Sequence, residues 1–225
     1  MKNFILNKYT TLKYLFAALI LCFFLLVFRI KSTHDYFGLF LVWNLFLAFV
    51  PLGIAWYVEA QTQILKNKLK IATLLAIWLL FLPNAPYVIT DLVHLSYSPP
   101  NWFWYDVITI SVFALLSLYF GFQSIRVWRK LFATQITAKG LNLATIAVLL
   151  LCGFGIYLGR FIRFNSWDLV TNPFDLAYTI LQYLINPIQH RWVWIFTLSF
   201  GLLLNAGYFS FQFWLTQKQP HDATC

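Results

Sequence analysis

KIATLLAIWLLFLPNAPYVITDLVHL, residues 70–95, opens on a lysine and then runs twenty residues without a charge before reaching Asp91 and His94. Twenty helical residues at about 1.5 Å each cover about 30 Å, the thickness of a bilayer's hydrocarbon core. The run therefore reads as a transmembrane helix that brings Asp91 out at one interface with His94 a turn above it. Pro83, Asn84 and Pro86 then lie roughly 7–11 Å beneath that interface. Pro86 lacks a backbone donor and disfavours helical geometry at Ala85. Irregular backbone at that depth must be buried in protein or line a wet cavity, and Asn84 is placed to satisfy the freed carbonyls. The stretch predicts a broken helix with two ionisable groups at its rim.

The rest of the chain repeats the pattern. Of its 225 residues 61% are hydrophobic and only 10% charged, against about 45–50% and about 25% in a soluble domain. Six spans are expected, at about 14–33, 37–57, 71–90, 103–122, 141–160 and 192–211. No polar stretch is long enough for a separate soluble domain, so residues 1–225 read as one integral membrane domain, an all-α polytopic helix bundle. Lys2, Lys8 and Lys13 precede the first apolar run, but no small-residue cleavage site follows it, so the segment reads as an uncleaved anchor. Cys22, Cys152 and Cys225 form no CxxC and suggest no disulfide framework.

Charge gives an orientation. Eleven of the sixteen Lys and Arg residues fall on one side: Lys2, Lys8, Lys13, Lys66, Lys68, Lys70, Arg126, Arg129, Lys130, Lys139 and Lys218. Arg29, Lys31, Arg160, Arg163 and Arg191 fall on the other. The positive-inside rule then predicts both termini in the cytoplasm. The basic clusters sit between apolar runs rather than among stacking aromatics, which argues against a nucleic-acid partner. Asp35, Asp91, Asp106, Asp168, Asp175, His34, His94 and His190 collect on the outer side, while Glu59, His221 and Asp222 stay inside.

Counting along the spans puts Asp91, Asp106 and Arg160 at one outer level, with Arg163 a turn above. Arg160 and Arg163, three apart on a helix, suit an anion such as phosphate or carboxylate. The alternative is that they snorkel, or pair with Asp91 or Asp106 to hold helices together. Asp91, His94 and Asp106 are the candidates for proton transfer, and Arg160, Arg163 and Asn84 for substrate binding. Asp91 and His94 with His34, Asp35 and His190 could also form a mixed nitrogen–oxygen metal site, although D-x-x-H alone is a weak signal. No motif names a cofactor.

Three further stretches read structurally. GFGIYLG, residues 153–159, lies inside a span, so its glycines point to helix packing rather than a nucleotide loop. Asn172, Pro173 and Asp175 start a helix that Asn186-Pro187 stops, with Leu176, Ile180, Leu181 and Leu184 along one face. This predicts a short amphipathic helix on the outer surface or dipping back into the bilayer. Trp102, Trp104, Tyr105, Trp167, Trp192 and Trp194 read as an interfacial aromatic belt.

LPNAPYVITDLVHL (82–95) and GIYLGRFIRFNSWDLVTNP (155–173) together resemble a bacterial family of multi-pass membrane proteins catalogued as domain of unknown function 1361. The resemblance implies a bacterial cytoplasmic (inner) membrane location and assigns no residue a role. Three readings stand at this point. An enzyme would bind or process a phosphate-bearing or lipid-linked substrate at the outer rim. A small-solute transporter would exploit the broken span, although the middle of each span lacks charge. A scaffold or accessory subunit would use the charges only to assemble helices. The bilayer is the one partner implied in every case, with a lipid headgroup or anionic substrate added in the first; the oligomeric state is not legible.

Overall fold

The computed structural model describes residues 2–164 and 167–217, without the side chains of residues 2–7 and Val170. Lys218, His221, Asp222 and Cys225, the side chain of Lys2, and Asn165 and Ser166 of the second motif lie outside the described residues. Every element among those residues is helical, and six helices are long and apolar enough to cross a membrane: Lys8–Thr33, Phe40–Ala60, Lys68–Tyr97, Phe103–Phe132, Ala138–Ile162 and Arg191–Gln217. The chain is a polytopic all-α membrane protein. Each expected span has its counterpart, mostly longer by a turn or more because α-helix continues past the apolar core into charged ends. The helices divide into two compact units, Met1–Leu131 and Phe132–Cys225.

In the first unit, α1 (Lys2–Thr33), α2 (Phe40–Ala60), α4 (Asn84–Tyr87) and α5 (Phe103–Phe132) surround one core, and α3 (Lys68–Phe81) packs along α2. Leu41, Leu45, Ala48 and Leu52 of α2 recur at helical spacing and meet Cys22 and Leu26 of α1 and Ile110, Phe113 and Phe120 of α5. Large apolar side chains such as Phe16, Phe24 and Leu115 stay exposed, a surface suited to acyl chains rather than water. Lipid supplies little hydrophobic drive between helices, so close approach depends on small residues. A Cβ on Gly121 would stand 2.8 Å from that of Ala85, which locks α4 against α5. Trp78 of α3 adds a hydrogen bond from its indole N–H to Ser124 Oγ at 3.1 Å.

The third span breaks where its prolines sit. α3 ends at Phe81, Leu82 and Pro83 form a turn, Asn84–Tyr87 make one α-turn, and Val88–Tyr97 continue as a 3₁₀ helix. The amide of Ala85 bonds to the carbonyl of Leu82 at 3.1 Å instead of reaching back to Phe81. The stranded Phe81 carbonyl accepts from Asn84 Nδ2 at 2.9 Å. The asparagine closes the gap that the prolines open.

In the second unit, α6 (Ala138–Tyr157) starts at Thr137, whose hydroxyl accepts from the Gly140 amide at 3.2 Å, and packs along α9 (Arg191–Gln217). Gly153 and Gly201 form the close approach: a Cβ on Gly153 would lie 2.7 Å from the Thr197 carbonyl oxygen. Between these helices, α7 (Asp168–Thr171) precedes α8 (Pro173–Ile185), capped by Asn172 and Asn186 at the expected residues. The side chain of Asn172 donates to Asp175 Oδ2 at 2.8 Å rather than capping a backbone amide. Leu176 and Ile180 pack inward with Tyr183, whereas Leu181 and Leu184 are exposed, so the inward face of α8 is narrower than the leucine spacing implies.

Candidate functional site

One group of polar side chains of the first unit gathers where α1, α2 and α5 meet the 3₁₀ helix. Arg29, near the end of α1, is 1% exposed and Asp106, in the first turn of α5, is 2% exposed. They form a forked pair, with Arg29 Nε donating to Asp106 Oδ1 at 2.8 Å and Nη2 donating to Oδ2 at 3.2 Å. The hydroxyl of Ser98 donates to the same carboxylate, and Arg29 Nη1 donates to Thr33 Oγ1. The guanidinium also lies over the Trp102 ring, 5.0 Å from its centroid. Together these contacts neutralise two buried charges and tie the loop before α5 to the end of α1.

A second group stands on the 3₁₀ helix. Asp91, 1% exposed, accepts a hydrogen bond from Asn44 Nδ2 of α2 at 2.7 Å. Its other oxygen lies 3.9 Å from Nε2 of His94, whose side chain is 34% exposed. Successive turns of a 3₁₀ helix eclipse at i and i+3, so Asp91, His94 and Tyr97 rise in one column. The rings of Phe40 and Tyr97 flank the imidazole with centroids 4.8 and 6.3 Å away. A buried, anchored carboxylate thus faces an imidazole that is open to ligands on one side.

Arg160 and Arg163 lie in the second unit, at the end of α6. There the helix widens into a π turn, Leu158–Ile162, and Arg163 takes a left-handed conformation at φ 68. The amides of Arg163 and Phe164 both return to the Leu158 carbonyl. The expectation that the two arginines share one face of an α-helix therefore does not hold, because the helix changes pitch at Arg160 and ends before Arg163. Arg160 is half-buried and Arg163 exposed. Single π turns and left-handed non-glycine residues concentrate at functional sites. Nearby, burial pushes the Tyr183 phenol above its ordinary range, with the Tyr157 phenol adding to the effect.

Of the residues singled out from sequence, Asp91 and His94 are brought together, Asp106 meets a cation, and Asn84 serves the backbone. Arg29, Asn44 and Ser98 were missed as partners. Arg29 was legible: it lies four residues inside the end of its span, the depth at which Asp106 enters the fourth. Among the described residues no three His, Cys, Asp or Glu side chains converge as a metal-ligand set.

Residues 43–206, most of the chain, match the family model described as "Protein of unknown function (DUF1361)". The chain belongs to this family. The matched region begins one residue before Asn44 and includes Asp91, His94, Asp106, Arg160 and Arg163, while Arg29 precedes it. No curated protein and no solved structure matches the chain.

Proposed function

We propose that this membrane protein carries an acid–base site in its first unit and acts on a phosphate-bearing or lipid-linked substrate at the outer rim of a bacterial cytoplasmic membrane, with both termini inside. The observation that carries this reading is the buried Asp91 carboxylate, held by Asn44 and facing the half-exposed imidazole of His94 at 3.9 Å. His94, the more exposed member of the pair, is the group that exchanges a proton with substrate. Asp91 is a positioning residue; a bridging water or a small swing of the ring closes the gap between them. Asn44 holds Asp91 in turn. The pair stands where its span leaves the apolar core, the level of lipid headgroups and of head-bearing substrates.

The other candidates take supporting parts. Asp106 and Asn84 already spend polar atoms on Arg29 and on the Phe81 carbonyl, so both are assigned to holding the helices rather than to chemistry. Arg160 and Arg163 are proposed as anion contacts of the second unit, on the strength of the π turn and the left-handed residue at which they lie. A carrier reading gains little from the broken third span. Its stranded carbonyl is closed by Asn84, and Ala85 is fully buried against Gly121. Leu82, Ala85, Pro86 and Val88 of the break are buried.

The test is to reconstitute the full chain, incubate it with a bacterial membrane lipid extract, and follow phosphate-bearing species by mass spectrometry. The parent is expected to deplete one species, His94→Gln to leave it untouched, and Asp91→Asn to act more slowly, with all three eluting as folded protein. A parent that leaves the extract as unchanged as His94→Gln overturns the enzymatic reading.

A further inference from the structure

At the opposite, lysine-rich end of the first unit, two cations meet on one carboxylate and a third stands beside them. Glu59, in the last turn of α2, has one oxygen paired with Lys8 and the other 3.3 Å from Lys130 Nζ. Lys8 and Glu59 are 15% and 14% exposed, and Lys130 is 77% exposed. Arg126, a turn before Lys130 on α5, is half-buried and close enough to act electrostatically on Lys8. It makes no ion pair or hydrogen bond with any described residue. The Lys8 ammonium rests over the Trp56 ring, 4.9 Å from its centroid.

We propose that Lys8, Arg126 and Lys130 form a binding site for the phosphate headgroup of an anionic phospholipid. Among the described residues Glu59 divides its two oxygens between Lys8 and Lys130, and Arg126 stands beside them with no carboxylate of its own. An ion-pair network built only to join helices would balance its charges; this one leaves its guanidinium without an acceptor. A planar guanidinium with a flanking ammonium suits the oxygens of a phosphodiester, as a point charge alone does not. The depth also fits a lipid. Lys8 begins the first apolar span, Glu59 is next to last in α2, and Lys130 falls in the last turn of α5, so all stand at the boundary of the hydrocarbon. Basic pockets between helices at the cytoplasmic side are the recognised setting for anionic headgroups. The site is independent of the Asp91–His94 reading and lies at the other end of the same helices.

Native mass spectrometry of the full chain in detergent tests this, with phosphatidylglycerol or phosphatidylcholine of the same acyl chains added in series. The parent should retain phosphatidylglycerol at roughly thirtyfold lower concentration than Arg126→Gln/Lys130→Gln, given the weight of two surface charges, and should show no such difference with phosphatidylcholine. Arg126→Lys should keep most of the preference. If the double variant does not fold, Arg126→Gln alone should weaken retention roughly fivefold. Equal retention of phosphatidylglycerol by the parent and a folded glutamine variant overturns the proposal. So does displacement of the lipid by millimolar inorganic phosphate, which would mark a site for free phosphate.

Discussion

Replacing Asp106 by alanine strips the partner from a guanidinium that is 1% exposed. Arg29 would lose the bonds at 2.8 and 3.2 Å but keep Thr33 and the face of Trp102. Breaking a buried pair from one side costs about 3–5 kcal/mol, and the retained contacts put Asp106→Ala near the lower figure, about 3 kcal/mol. In a chain of this size each kcal/mol moves the midpoint by about 2–4 °C, so the Tm should fall by about 6–12 °C. Arg29→Met strands the carboxylate on the Ser98 hydroxyl alone and should fall at least as far. The double variant Arg29→Met/Asp106→Leu strands no charge and should melt within about 4 °C of the parent, because a buried pair is worth little more than apolar groups of its own shape. Tryptophan fluorescence of the detergent-purified proteins, scanned with temperature, reads all four. Should the double variant melt as low as either single, or the singles match the parent, the reasoning from a coupled buried pair is refuted.

Three other outcomes are expected. Cysteines placed at Asn101 and Gln189 should react with a membrane-impermeant thiol reagent in intact cells; labelling only after lysis would reverse the proposed orientation. Asn84→Leu removes the donor to the Phe81 carbonyl and should cost about 1–3 kcal/mol, seen as a lower Tm, whereas a variant as stable as the parent would mean that the carbonyl needs no cover. Gly153→Ala should drive α6 and α9 apart at a cost of about 1–3 kcal/mol, since its Cβ would lie 2.7 Å from backbone oxygen, while Gly53→Ala, with only Phe49 at 3.7 Å, should be neutral; equal melting of the two would argue against the close approach.

Helix positions were readable from sequence because bilayer thickness sets span length and because Pro83, Pro86 and Asn84 have few ways to coexist at one depth. The start of α8 was readable for a similar reason, since Asn172-Pro173 suits a helix entry and little else. Partner choice was harder. Depth counting says which groups share a level, not which share an edge of the bundle, so Asp91 and Asp106 could be placed at one height while Asn44 and Arg29 went unassigned. The sequence reading of Arg160 and Arg163 assumed regular α-helix through residue 163. Nothing in Leu158–Ile162 announces a π turn, because a wider turn arises from packing and not from residue type.

The 3₁₀ stretch has a consequence for height. Each of its residues climbs about 2.0 Å where an α-helix climbs about 1.5 Å, so by the seventh residue His94 stands about 3 Å farther from the apolar core than α-helical winding would carry it. Regular winding would also swing His94 about 60° off the vertical through Asp91, since 3.6 residues fill a turn instead of three. The two hydrogen-bond registers therefore set different combinations of elevation and bearing for the imidazole, and only the tighter one keeps it plumb above its carboxylate while lifting it toward the headgroups.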